Sequence, residues 1–203
     1  MKWKIIGIRI IVSVIILLFS YFILYYCFIT SNESYTFHNG TLYLKISLKK
    51  NSDGSSSIIS SDCSGKAEHK ISEWKLNYPI FHFECADINA DGSEDIIVGV
   101  IKPARFDSIS RKRIFIFKLI DGFIRPLWLG SRVSKPLEYF KVVHSDSINM
   151  IRTIELEENG KYLVADYKWQ VFGLTFVKYL MRNGNLEEAR KLLTKANSGN
   201  EKN

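Results

Sequence analysis

The chain has 203 residues and carries 28 Lys and Arg against 21 Asp and Glu, a net charge of +7. Apolar residues make up 46% and charged residues 24%, which excludes a highly charged disordered chain and suits a single buried core. The cysteines lack Cys-x-x-Cys partners and no paired histidines accompany them, so a zinc-built fold is excluded as well.

Lys2, Lys4 and Arg9 open the chain, and Ile10 to Thr30 then runs for 21 residues without a charge. About 20 apolar residues are needed to cross a bilayer as a helix. No small-residue cleavage site stands near Thr30, and Tyr25-Tyr26 before Cys27 do not fit a lipoprotein signal. Residues 1–30 are therefore expected to be an uncleaved membrane anchor, with residues 10–30 in the bilayer. The basic flank places the N-terminus in the cytoplasm and residues 31–203 outside it. Beyond the anchor the balance is 25 basic against 21 acidic residues, which is only mildly basic.

Residues 31–70 read as a hairpin followed by a Ser/Gly-rich loop. Tyr35 to Leu48 looks like two strands turning at Asn39-Gly40. Lys49 to Gly65 is crowded with Ser, Asp and Gly and reads as a loop. Cys63 and Cys85 are the only thiols beyond the anchor. An oxidising compartment permits a disulfide between them, and their spacing does not decide it.

The sharpest chemistry lies in Asp87-Ile88-Asn89-Ala90-Asp91-Gly92-Ser93-Glu94-Asp95. Side-chain oxygens fall at positions 1, 3, 5 and 9, with glycine at 6. A hard cation such as Ca²⁺ takes six to eight oxygens from a tightly curled loop. An EF-hand would need a bidentate Glu at position 12, where Val98 stands. The flanks Tyr78–Phe83 and Ile96–Ile101 are aromatic and β-branched, so the loop joins two strands. The competing reading is an Asx-rich turn that bonds its own backbone. His82 is expected to point away from Phe81 and Phe83 on the preceding strand.

Phe81-His82-Phe83, the segment Ala86 to Asp95 and Ile96-Ile97-Val98-Gly99-Val100 together resemble one FG-GAP/VCBS repeat, the calcium-loop unit of integrin-type β-propellers. The resemblance covers about twenty residues. It implies a structural Ca²⁺ held by the side chains of Asp87, Asn89, Asp91 and Asp95 and by the carbonyl of Ser93.

After the loop come strands at Ile96–Ile101, Arg113–Ile120 and Phe123–Leu129, with a turn at Asp121-Gly122. Arg111, Lys112 and Arg113 are the densest part of a basic run over 102–135 and a candidate anion site. A solvated strand face competes with that reading. Phe140 precedes Asp146 by six residues, as Phe81 precedes Asp87, which hints at a second unit without calcium residues. Its strands would be Met150–Leu156 and Lys161–Lys168, with a further one over Trp169–Phe176. Ser131, after the turn at Gly130, has no assignable base and is not taken as a nucleophile. Asn185 with Glu188 three residues on forms a capping box, and Leu186, Ala189, Leu192, Leu193 and Ala196 lie at helical spacing.

The expected fold is mainly β. An N-terminal transmembrane helix precedes a small propeller-blade-like domain over 71–180, and a short helix and tail fill 181–203. The expected function is a membrane-anchored, extracytoplasmic binding module with a structural Ca²⁺ and a protein or glycan partner. Nucleic acid is not expected outside the cytoplasm. The alternative is an envelope-associated hydrolase whose catalytic residues the sequence does not assign.

Overall fold

Among the described residues twelve strands form, because apolar, β-branched and aromatic residues alternate or run continuously between turns set by Gly, Asn and Asp. The computed structural model describes residues 33–51, 53, 55–104, 107–130, 133–145 and 148–195. The anchor expected over 1–30 and the tail beyond Lys195 lie outside these residues, as do Ser131, Arg132, Asp146 and Ser147. Among the described residues no helix is long and apolar enough to cross a membrane. The chain divides after Glu33 into two units.

The second unit holds three antiparallel sheets, each a four-stranded meander in chain order. The first contains β1 (Ser34–Asn39), β2 (Leu42–Lys50), β3 (Ser56–Asp62) and β4 (His69–Leu76). The second contains β5 (Ile80–Ala86), β6 (Asp95–Ala104), β7 (Asp107–Ile120) and β8 (Phe123–Leu129). The third contains β9 (Leu137–Ser145), β10 (Ile148–Leu156), β11 (Tyr162–Gln170) and β12 (Gly173–Gly184). A single helix, α1 (Leu186–Leu193), closes the described chain.

The second sheet is buried on both faces, which explains the unbroken apolar run of β6. Ile96, Val98 and Val100 share a core with Leu44, Ile46 and Ile58 of the first sheet. Ile97 turns the other way, into a core with Ile114, Ile116, Phe140 and Ile151 that joins the third sheet. The third sheet buries Ile154 and Val164 against Ala189 and Leu193 of α1. The helix starts as its sequence dictates. The Asn185 side chain accepts from the Glu188 amide at 2.9 Å, and the Glu188 carboxylate accepts from the Asn185 amide at 3.0 Å.

Three expectations change. The segment read as a loop over Lys49–Gly65 contains β3, a central strand paired on both sides. Sheets number three rather than two, and the first shares its core with the second. The strand expected over Trp169–Phe176 instead contains the turn between β11 and β12, with Gln170 paired to Gly173.

His82 gives a further correction. It lies opposite to Phe83, which faces the first sheet, but on the same side as Phe81. The register of β5 slips between Ile80 and His82. A bulge of this kind re-aims a side chain that strict alternation would send the other way. Both rings then pack on Phe140, at centroid distances of 6.0 and 4.8 Å.

Gly99, opposite His82, is a consequence of the same packing. A Cβ there would meet the Phe81 ring at 2.6 Å. Gly99→Ala is expected to lose about 1–3 kcal/mol, the range for an overpacked core. Gly65→Ala, with open space around it, is the control and should stay within about 0.5 kcal/mol. Urea unfolding of the two variants checks this.

Candidate metal centre

Ala86 and Asp95 are the last paired residues of the β5–β6 hairpin, and residues 87–94 bridge them. Ile88 pins the bridge by burying its side chain in the core between the second and third sheets. Asn149 of β10 adds a tether from outside the hairpin, donating from Nδ2 to the Asp87 carbonyl at 2.9 Å. With the loop held at these points, the other side chains curl onto its own backbone. Asp87 accepts from the amides of Asp91 at 3.1 Å and Gly92 at 2.9 Å. Asn89 accepts from the Asp91 amide and Asp91 from the Ser93 amide, both at 2.9 Å. Asp95 accepts from the Ile88 amide at 3.2 Å. Gly92 has φ +85°, a conformation glycine adopts freely, and Ala90 is held at φ +59°.

The four candidate side-chain ligands thus belong to one curl, between strands and not between helices. Asp95 is almost fully buried, while Asp91 is exposed. Burial, opposed by the Ile88 amide and reinforced by the Asp91 and Asp87 carboxylates, pushes the Asp95 carboxyl up to about 7. Glu94 is raised too, by burial and by Asp87. Among the described residues none of Asp87, Asp91 and Asp95 is ion-paired.

The donor set is all oxygen and includes three carboxylates, which suits a hard cation and not a thiolate- or imidazole-seeking metal. A carboxylate oxygen that accepts one amide still has a second lone pair to offer. Among the described residues, however, no three His, Cys, Asp or Glu side chains stand together as a preformed metal cage. In this arrangement the carboxylates organise the turn.

The other sequence candidates separate. Alternation along β7 sends Lys112 to one face and Arg111 and Arg113 to the other. Lys112 donates to the Glu138 carbonyl and carboxylate, both at 2.8 Å, and so joins the second sheet to the third. Arg113 donates to the Lys102 carbonyl at 3.3 Å. The three do not form one anion site. Cys63 and Cys85 are free thiols, and burial pushes the Cys85 thiol well up.

Two polar clusters escaped the sequence reading. In the first, the Tyr139 hydroxyl meets His82 Nδ1 at 2.8 Å, and His82 Nε2 lies 2.9 Å from Glu84. The Nε2 contact is close but poorly aligned as a hydrogen bond, so it is an ion-pair contact only when the ring is protonated. Glu84 also accepts from the Val142 amide at 2.6 Å. This cluster pins β5 to β9 across the sheet boundary. In the second, buried Glu155 accepts from Tyr167 and Thr153 hydroxyls at 2.8 and 2.7 Å and from the Lys135 amide at 2.5 Å. That set fixes the connection into β9. Sequence separations of up to 58 residues hide such contacts from any local pattern.

No family model matches this chain, and neither a curated protein nor a solved structure matches it.

Proposed function

We propose that the chain is a membrane-tethered, extracytoplasmic β module that takes up Ca²⁺ in its Asp87–Asp95 loop and works by binding a protein or glycan partner. The observation that carries this reading is the loop itself. Three carboxylates belong to one loop at a strand junction, one of them buried, and among the described residues none of them is ion-paired. A divalent ion is the group that this charge and donor set calls for. Asp87, Asn89, Asp91 and Asp95 would hold it, with Ser93 offering its carbonyl. The ion would supply rigidity and not chemistry, since it would tie the loop between β5 and β6.

Support also comes from the surroundings of the loop. The four-stranded meander β5–β8 matches the strand count of a propeller blade, and the loop joins its first two strands. Three such sheets are fewer than the roughly four to eight blades of closed propellers. They bury each other's faces in layers instead, and this leaves sheet edges and loops as the surfaces for a partner.

A calcium titration followed by thermal unfolding tests the proposal. A ligand that binds only the folded form stabilises it by about 2.7 kcal/mol at a hundred times its Kd. The native chain is expected to melt several degrees higher in millimolar Ca²⁺, and the Asp87→Ala, Asp91→Ala double variant is expected not to respond. An unchanged melting temperature for the native chain would overturn the reading.

A further inference from the structure

Among the described residues, tight turns follow one rule, with one exception. Asn39-Gly40, Asp121-Gly122 and Asn159-Gly160 place a small polar residue before a glycine with positive φ. The turn between β11 and β12 uses Val171-Phe172. Val171 is held at φ +53°, and the Phe172 amide donates to the Gln170 carbonyl at 2.6 Å across that single residue. A β-branched side chain is strained in this conformation. Burial does not compensate the strain, because Val171 is 71% and Phe172 88% exposed. Behind the tip, Trp128, Val133, Tyr167, Phe172, Leu174 and Phe176 line a cleft of 410 Å³, and β12 leaves Phe176, Val177 and Tyr179 partly bare.

We propose that the Val171-Phe172 tip inserts into the surface of an anionic lipid bilayer. Apolar tips flanked by lysine suit the boundary between headgroups and acyl chains, with aromatic rings at that level. Between Tyr167 and Met181 the hairpin carries Lys168 and Lys178 and no carboxylate. Both lysines are exposed, and neither is ion-paired among the described residues. A basic residue near such a surface contributes attraction that fades within a Debye length. A second protein is the weaker occupant. Two tip residues bury a few hundred Å² at most, against the roughly 1,000 Å² that a specific interface needs. Insertion into lipid needs only the tip. The anchor expected over residues 10–30 would supply such a bilayer. For that bilayer, and for that alone, the inference rests on the tethered reading above.

The test places the photocrosslinking amino acid benzoylphenylalanine at Phe172 in the full chain. The chain is reconstituted into phosphatidylcholine vesicles with and without phosphatidylglycerol. The acidic loop meets the same end of the third sheet through Asn149, so millimolar Ca²⁺ is present throughout. The expected result is lipid adducts at position 172, more abundant with phosphatidylglycerol. Lys168→Glu with Lys178→Glu should lower their yield roughly fivefold or more. The same probe at Asn159, at the opposite end of β11, should give none. Absence of lipid adducts at 172, equal labelling at 159, or crosslinks to a second chain would each overturn the proposal. Flotation of the vesicles reads the anchor separately. A chain that floats without adducts at 172 refutes the tip alone, and a chain that does not float refutes the tether.

Discussion

Replacing Arg152 by methionine is expected to destabilise the folded chain by about 3–5 kcal/mol, the cost of leaving one partner of a buried ion pair without the other. Among the described residues, Arg152 is the largest fully buried side chain. It lies opposite Asp166 in the β10–β11 register and grips it with two bonds, Nε to Oδ1 at 2.7 Å and Nη2 to Oδ2 at 3.1 Å. Its remaining nitrogen, Nη1, donates to the carbonyls of Leu192 at 3.0 Å and Lys195 at 2.7 Å. These groups lie at the C-terminal end of α1, where carbonyls lack helical partners and the dipole favours a cation. One guanidinium therefore neutralises a buried carboxylate and caps a helix. Methionine keeps much of the volume and removes both roles. Arg152→Lys should also fail, because an ammonium cannot reproduce the planar fork. Arg152→Met with Asp166→Leu should recover a large part of the loss, since the stranded charge is gone. Urea unfolding of the three variants decides this, and hydrogen exchange in α1 should quicken whenever Arg152 is absent. A loss under about 1 kcal/mol in Arg152→Met would mean that this pair does not hold the layer together.

Legibility in the sequence depended on how local the cause was. The capping box at Asn185 and the turn glycines 40, 122 and 160 are set by neighbouring residues and were readable. The loop Asp87–Asp95 and its strand flanks were readable for the same reason. β3 was not. Four of its residues, Ser56, Ser57, Ser60 and Ser61, are serines that sequence reasoning assigns to loops, because hydroxyls compete for backbone bonds. A central position decides otherwise. Ser57 lies between Lys49 and Lys75 in the register, whose long stems flank it, and Ile58 carries the strand into the core. Strand preference reflects such neighbours more than the residue's own backbone. His82 was misplaced because a bulge has no signature in a period-two pattern. In the site, the pattern named the oxygens but not what they bond. Asn149, Ile88 and the loop amides depend on packing and on pairings with no sequence signal.

Asp95 yields the second large effect, and its sign reverses with metal. In the metal-free chain its carboxyl titrates near 7, against about 4 when unfolded. Below about pH 4 the group is neutral in both forms and has no influence. As pH rises from 4 to 7 the unfolded form releases its proton while the folded form keeps it, so stability falls. A shift of that size is worth about 4 kcal/mol at most, with the full loss reached above pH 7. Asp95→Asn cannot ionise and can still accept from the Ile88 amide. In a chelator the variant is therefore expected to match the native chain at pH 4 and to exceed it by a few kcal/mol at pH 8. Calcium should invert the ranking at pH 8, because a bound cation favours the ionised carboxylate and asparagine brings no charge to it. Chemical unfolding at both pH values, with Ca²⁺ and with chelator, supplies the four comparisons. Parallel pH profiles for the two chains in chelator would show that Asp95 does not titrate as a buried acid. A native chain still weaker than the variant in Ca²⁺ would show that the loop's charge is not there for a cation.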